Sequence, residues 1–455
     1  MSTAIMKRKT FIILMAIMWT SAQQGSAQSK VLDDYIQSAF AQNQGLKQQH
    51  FQLDKSLYAL QEAKSLFYPQ VGLIGNYTKA GGGRTIDIPI GDLLNPAYST
   101  LNQLTNSSKF PQLENQSVLL NPDNFYDVHL RTTLPLVNTE IWYAQKIRRE
   151  NISLQQAGVN VYKRRLVRDI KTAYYQYYQA GKAVDIYNTA RLQVQENIRV
   201  NTSFLTNGVT NSTALTRAKA ELQRIEASIT EAENKKQNAG AYFNFLLNRD
   251  LKAGIILDST IFSPEEISAA PTATSNVREE LLQLSQQQKI ADLSYRQSKS
   301  YLVPKLSTFL DLGSQDFNFK VNSQSRYYMW GVNLQWDLFA AGQRKYKAQQ
   351  AAIDVSNMQA AYNEANLSFQ LEQQTAENNY HTSVANFNSA HEQLQLSEKY
   401  YNDQSKVYKA GQLLYIELLD AQNQLTNARL QLSVAFAAVQ TALADIERAQ
   451  ASYKL

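Results

Sequence analysis

Nine prolines, at positions 69, 89, 96, 111, 122, 135, 264, 271 and 304, leave two long tracts without one, 136–263 and 305–455. Proline removes a backbone donor and clashes with the preceding helical turn, so its absence over such distances permits very long helices. At ~1.5 Å per residue, the roughly 70 residues from Ala340 to Lys409 would reach on the order of 100 Å as one helix. The expected helices carry heptad seams. Leu418, Ala421, Leu425, Ala428, Leu432, Ala435 and Val439 follow a 3,4 spacing, as do Leu215, Ala218, Leu222, Ile225, Ile229 and Ala232 earlier in the chain. Glu417, Asp420, Gln424, Asn427 and Gln431 run beside the later seam as a polar line, as a water-facing lining would.

The second half of the chain repeats the first. Lys64-Ser65-Leu66-Phe67-Tyr68-Pro69-Gln70-Val71 aligns with Lys299-Ser300-Tyr301-Leu302-Val303-Pro304-Lys305-Leu306 at an offset of 235. Leu134 to Val137 aligns with Trp336 to Phe339 at 202, and Gly208 with Gly411 at 203, so the first copy holds about 33 extra residues between its strands. Each copy reads helix, strand, loop, strand, long helix, turn, long helix. This predicts a first repeat over 28–247 with strands about 70–79 and 125–137 and a loop at 80–124. A linker follows over 248–276, then a second repeat over 277–455 with strands about 305–313 and 327–339.

Residues 1–27 have the layout of a secretory signal peptide: Lys7 to Lys9, the apolar run Phe11 to Trp19, and small residues ending at Ala27. Its removal takes three positive charges and no negative ones from a net charge of +6, leaving +3, too little to mark a nucleic-acid surface. No later apolar run is long enough for a spanning helix. With no Cys in the chain, disulfide frameworks, thiolate nucleophiles and Cys-linked lipid anchors are excluded.

The strands alternate. Val128, Leu130, Thr132, Leu134 and Leu136 share one face, against Asp127, His129, Arg131 and Thr133; Trp330, Val332, Leu334, Trp336 and Leu338 oppose Gly331, Asn333, Gln335 and Asp337. Trp142, Trp330 and Trp336 lie in or just beyond these strands among other aromatics, in the manner of the interfacial girdles of outer-membrane barrels. Four strands cannot close a barrel, and open edges are not tolerated in lipid, so such a chain must oligomerise.

Taken in order, Leu66-Phe67-Tyr68-Pro69-Gln70-Val71, Asp337-Leu338-Phe339-Ala340-Ala341-Gly342-Gln343-Arg344, and Tyr408-Lys409-Ala410-Gly411 followed by Leu418-Leu419-Asp420-Ala421-Gln422 resemble the TolC family of outer-membrane efflux proteins. The resemblance covers nearly all of the mature chain. It implies a mainly α protein with a membrane β-barrel: a homotrimer pooling four strands per chain into a 12-stranded barrel, continued by a long periplasmic α-helical barrel. It implies a passive exit duct in the outer membrane, serving an inner-membrane pump through a periplasmic adaptor, with no cofactor. By the same resemblance, Glu417, Asp420 and Tyr408 would belong to the periplasmic aperture. Where family members latch that aperture with an acidic residue and an Arg, this chain has Ala214 and Leu413.

The turns Asn207-Gly208-Val209-Thr210 and Ala410-Gly411-Gln412-Leu413 join long helices and are the expected adaptor contacts. The alternative is a periplasmic coiled-coil adaptor or structural rod without a barrel, which would share the signal and heptads but not the alternating Trp-bearing strands. Enzyme chemistry has little to stand on. His50, His129, His381 and His391 show no metal-ligand spacing, Gly81-Gly82-Gly83-Arg84 lacks the Lys-Ser/Thr of a phosphate loop, and no Gly-x-Ser-x-Gly occurs.

Overall fold

The computed structural model describes residues 30–258 and 278–455. The expected signal peptide, 1–27, lies outside the described residues, as do Pro264 and Pro271 of the expected linker. The elements run α1 (Lys30–Gln42), α2 (Gln44–Ser65), β1 (Gln70–Thr78), β2 (Thr85–Ile88), α3 (Ile90–Thr105), β3 (Gln116–Leu119), β4 (Phe125–Val137), α4 (Thr139–Thr206) and α5 (Ser212–Leu246). From residue 278 onward come α6 (Glu279–Lys299), a 3₁₀ turn (Ser300–Leu302), β5 (Lys305–Phe317), β6 (Arg326–Gln335), α7 (Gln343–Lys409) and α8 (Tyr415–Ala449). The Pro-free tracts do hold helices of 68 and 67 residues, α4 and α7, each followed by one of 35 residues.

The chain divides into two compact units, one comprising residues up to Ser56 with Asn151–Lys289 and Ser356–Leu455, the other Leu57–Glu150 with Ile290–Val355. The first unit is helical. Its core gathers Ile36, Ile170, Tyr174, Phe243, Val439 and Ile446. The seam of α8 packs as its spacing requires: Leu418, Ala421, Leu425, Ala428, Ala435 and Val439 are buried, while Glu417, Asp420, Gln424, Asn427 and Gln431 face outward. Alternating Ala with Leu lets neighbouring helices approach closely without leaving voids. Among the described residues the buried cations of this unit are paired, Arg278 with Glu280 at 2.8 Å and Glu372 at 2.6 Å, and Lys171 with Glu447. An unpaired charge at such depth would cost several kcal/mol.

The second unit is built on one antiparallel sheet of order β1-β4-β5-β6. Gln70↔Thr133, Leu130↔Leu312 and Leu310↔Trp330 fix its register. The strands depart from the expected bounds at two places. β5 continues to Phe317, four residues beyond the expected end, because it stays paired with β4 as far as Phe125. β6 stops at Gln335, so Trp336 and Leu338 lie past it; Ala341 and Gly342 then take left-handed conformations (φ 44° and 80°) that turn the chain into α7. A register shift between Pro135 and Val137 interrupts the alternation at Leu136, since Pro135 has no N–H for the ladder. The segment 80–124, expected as a loop, contains α3 and a two-stranded ribbon of β2 and β3.

Candidate functional site

The sheet of the second unit is inverted relative to a water-soluble one. On one face Leu73 is 75 % exposed, Tyr328 79 % and Trp330 66 %, with Val71, Val332 and Leu334 beside them. The other face holds the charged groups, and they are paired: Asp311 is 0 % exposed and His129 6 %, while Arg131 and Asp127 are half-buried. Arg131 donates twice to Asp311, at 2.8 and 2.7 Å, across β4 and β5. Asp127 contacts His129 Nδ1 at 3.1 Å and accepts from the Tyr327 hydroxyl at 2.8 Å. Curvature around the polar face follows from small residues there: a Cβ on Gly313 would meet His129, and one on Gly331 would meet the Phe309 ring. Leucine and tryptophan at such exposure lose the hydrophobic gain unless a non-aqueous medium covers them. Alternation placed Asp127, His129 and Arg131 together in the sequence. Their partners Asp311 and Tyr327 escaped it, although Asp311 sits between Leu310 and Leu312 on the opposite parity.

Aromatics mark the sheet unevenly. Trp142 stands on α4, its ring under Lys146 Nζ at 3.5 Å; Trp330 lies inside β6 and Trp336 one residue beyond it. At the opposite strand ends, Phe319 stacks on Tyr77 (5.3 Å) and on Tyr126 (5.8 Å), and Phe125 meets Phe317 at 5.2 Å. Phe319 was not singled out in the sequence, because it falls in a turn with φ 55° rather than on a strand.

The two helical turns are built alike. Gly208 has φ 72° and Gly411 φ 74°, the left-handed conformation that L side chains disfavour. Val209 N–H reaches Phe204 O at 2.8 Å and Gln412 N–H reaches Val407 O at 3.2 Å, the six-to-one bonds of a Schellman cap. Three residues after each glycine stands the N-cap of a new helix. Asn211 caps α5 by accepting from Thr213 N–H at 3.0 Å; in the second turn Glu417 reaches back to Leu414 N–H at 3.1 Å. Thr210 and Leu413 are half-buried, whereas Asn207, Ala410 and Gln412 are exposed and Val209 is 59 % exposed.

Glu417 and Asp420 are both exposed, one turn apart on α8, and Asp420 also accepts from Gln424 at 2.7 Å. Tyr408 is placed differently. It is buried within the chain, between Phe204 (5.7 Å) and Tyr415 (5.9 Å), and its hydroxyl donates to Asn201 Oδ1 at 2.7 Å. Asn201 Nδ2 donates to Asn197 O at 2.8 Å, and Asn197 Nδ2 to Gln422 Oε1 at 2.8 Å. A ladder of buried polar side chains thus ties α7, α4 and α8 together next to the turns. Burial pushes the Tyr408 and Tyr415 phenols above their ordinary value. Ala214 and Leu413 pack against this cluster as apolar residues. Among the described residues no group of His, Asp and Glu could hold a metal ion, and no helix is long and apolar enough to cross a membrane.

Residues 272–452 match the sequence profile of the outer membrane efflux protein family. The chain is 20 % identical over 426 residues to outer membrane protein TolC of Escherichia coli K12, covering 90 % of this chain and 79 % of TolC. Its fold is similar to that of CusC, at a TM-score of 0.74 and 14 % identity over 92 % of each chain. It is also similar to the open state of the MtrE outer membrane channel of Neisseria gonorrhoeae, at a TM-score of 0.71 and 15 % identity over 92 % of this chain and 88 % of that one. Profile match and fold agree on the class that the chain resembles, the efflux channels of the outer membrane with a periplasmic extension. Over its second half by sequence and over nearly its whole length by fold, the chain is similar to the outer membrane efflux channels of the TolC type.

Proposed function

We propose that three copies of this chain pool their four-stranded sheets into one 12-stranded barrel and serve as the exit duct of a tripartite efflux or secretion system. The observation that carries this reading is the inverted sheet, with its apolar face open, its charges paired on the opposite face and its two edge strands, β1 and β6, each with one unpaired side. Lipid can cover the apolar face, but nothing in lipid can satisfy the edges, so β1 of one copy pairs with β6 of the next. The Arg131–Asp311 and Asp127–His129 groups then face the lumen. Trp142, Trp330, Trp336 and the Tyr77–Phe319–Tyr126 stack serve as the lipid-contacting aromatics, and 80–124, joining two strands at the end away from the helices, is extracellular.

In this reading the turns Asn207–Thr210 and Ala410–Leu413 meet the periplasmic adaptor, offering exposed Val209 and Leu414 as apolar contacts. Glu417 and Asp420 project into the aperture, while Tyr408 positions the helices behind them. A coiled-coil rod without a barrel would leave the sheet's apolar face without a purpose, and it is set aside. Light scattering of the purified protein tests the assembly. A trimer that requires detergent is expected, and a detergent-free monomer would refute it.

A further inference from the structure

Helix α3 in segment 80–124 turns its leucines outward. Asn95 brackets Leu113, accepting from its N–H at 2.7 Å and donating to its carbonyl at 2.9 Å. Asn102 does the same to Phe110, at 3.1 and 2.7 Å. Asn115 closes the other end, donating to the Asp92 carboxylate at 2.9 Å and accepting from Asp92 N–H at 3.1 Å. The helix therefore lies on its own chain through the face Gly91, Asn95, Tyr98 and Asn102. Leu94, Ala97, Leu101 and Leu104 form a separate face, and all four are exposed, Leu104 at 77 %. A surface helix ordinarily buries its apolar stripe and shows its polar one. Here the amide brackets hold the polar face inward, and they cannot form if the helix rolls over.

We infer that this leucine face is a self-association surface that packs on the same segment of a second copy of the chain. The inference rests on the trimeric reading above. Three observations choose that occupant. The spacing 94, 97, 101, 104 is a 3,4,3 seam, the pattern by which one helix interlocks with another. The helix carries Asp92 and no Lys, Arg, Trp or Phe, whereas a helix lying on an anionic lipid surface carries cations on its polar face and bulky aromatics on its apolar one. Finally, the segment leaves the sheet from β1, an edge strand, so in the trimeric reading it rises beside the seam between two copies. The interaction between copies that begins in the barrel wall continues outside it.

The absence of cysteine from the chain makes the test direct. Leu101→Cys and Leu94→Cys place a thiol on the seam, and Ser99→Cys places one on the side of the helix turned away from it. Each full-length variant is expressed in the outer membrane of intact cells and treated with a mild oxidant or a short bis-maleimide. The seam variants are expected to run at twice the chain mass and Ser99→Cys at the chain mass. A detergent-extracted trimer in which neither seam variant crosslinks would overturn this inference alone. Oxygen-dominated relaxation of a nitroxide attached to Leu101→Cys would do the same, by placing the face in lipid. An unsubstituted protein that is monomeric in detergent would overturn the trimeric reading and this one with it.

Discussion

Glu417 has two separable properties, a hydrogen bond and a charge. Its carboxylate accepts from Leu414 N–H at the start of α8, a bond that glutamine makes equally well through its amide oxygen. The charge, with that of Asp420, faces water. Exchanging Glu417→Gln together with Asp420→Asn should leave folding and assembly within about 0.5 kcal/mol of the parent. If the pair lines the aperture, the exchange should also abolish cation selectivity and block by trivalent cations applied from the periplasmic side of a planar bilayer. Selectivity unchanged by the exchange would mean that the two acids are a solvated helix surface. Both residues could be picked out from the sequence because they stand three apart on one helix. Tyr408's anchor could not, since Asn201 lies 207 residues away and only packing brings the two together.

Among the elements, the turns after α4 and α7 are the most constrained. Nothing lies within 4 Å of a Cβ added at Gly208 or Gly411, so substitution there meets no steric obstacle beyond the backbone's own. Any L residue must hold φ above 70°, at a cost of roughly 1–2 kcal/mol per site. Gly208→Val with Gly411→Val should therefore unwind the turns while sparing the sheet and the helical cores. If the chain assembles as proposed and these turns meet the adaptor, trimers should persist in the outer membrane while efflux is lost, together with chemical crosslinking to the adaptor. Normal efflux from this double variant would remove the turns from the adaptor interface. The matching architecture of the turns was visible in advance as the 203-residue offset of Gly208 and Gly411, whereas the Schellman bonds that use those glycines required coordinates.

Across the molecule, tyrosines buried at separate places in the helical unit give the fold a common sensitivity to base. Desolvation, with Asp33 and Glu447 nearby, pushes Tyr453 up to about 12, and burial pushes Tyr175 and Tyr415 higher still. A tyrosine whose proton is held more tightly in the folded chain than in the unfolded one contributes its full stability below about pH 10, the unfolded value. It loses that contribution as the pH rises through the folded value. The thermal midpoint of the helical circular-dichroism signal in detergent should accordingly fall between about pH 10 and 12, and Tyr453→Phe should flatten the fall. A midpoint independent of pH over that range would contradict the burial of these phenols.

What the sequence by itself determined was periodic. Proline spacing set where long helices could run, heptads set which side of α8 is buried, alternation set which strand residues share a face, and the tandem offset set the order of elements. Each of these depends on local geometry, which a chain carries wherever it goes. Only the tertiary structure decided the rest. It paired Arg131 with Asp311 across a sheet whose registers no local rule specifies, and it joined Tyr408, Asn201, Asn197 and Gln422 from three helices into one ladder. It also made a helix and a ribbon out of the Asn-rich segment 80–124. There Asn95 and Asn102 outbid the leucines for the inward face, because amide brackets to a neighbouring backbone are directional and the hydrophobic effect is not.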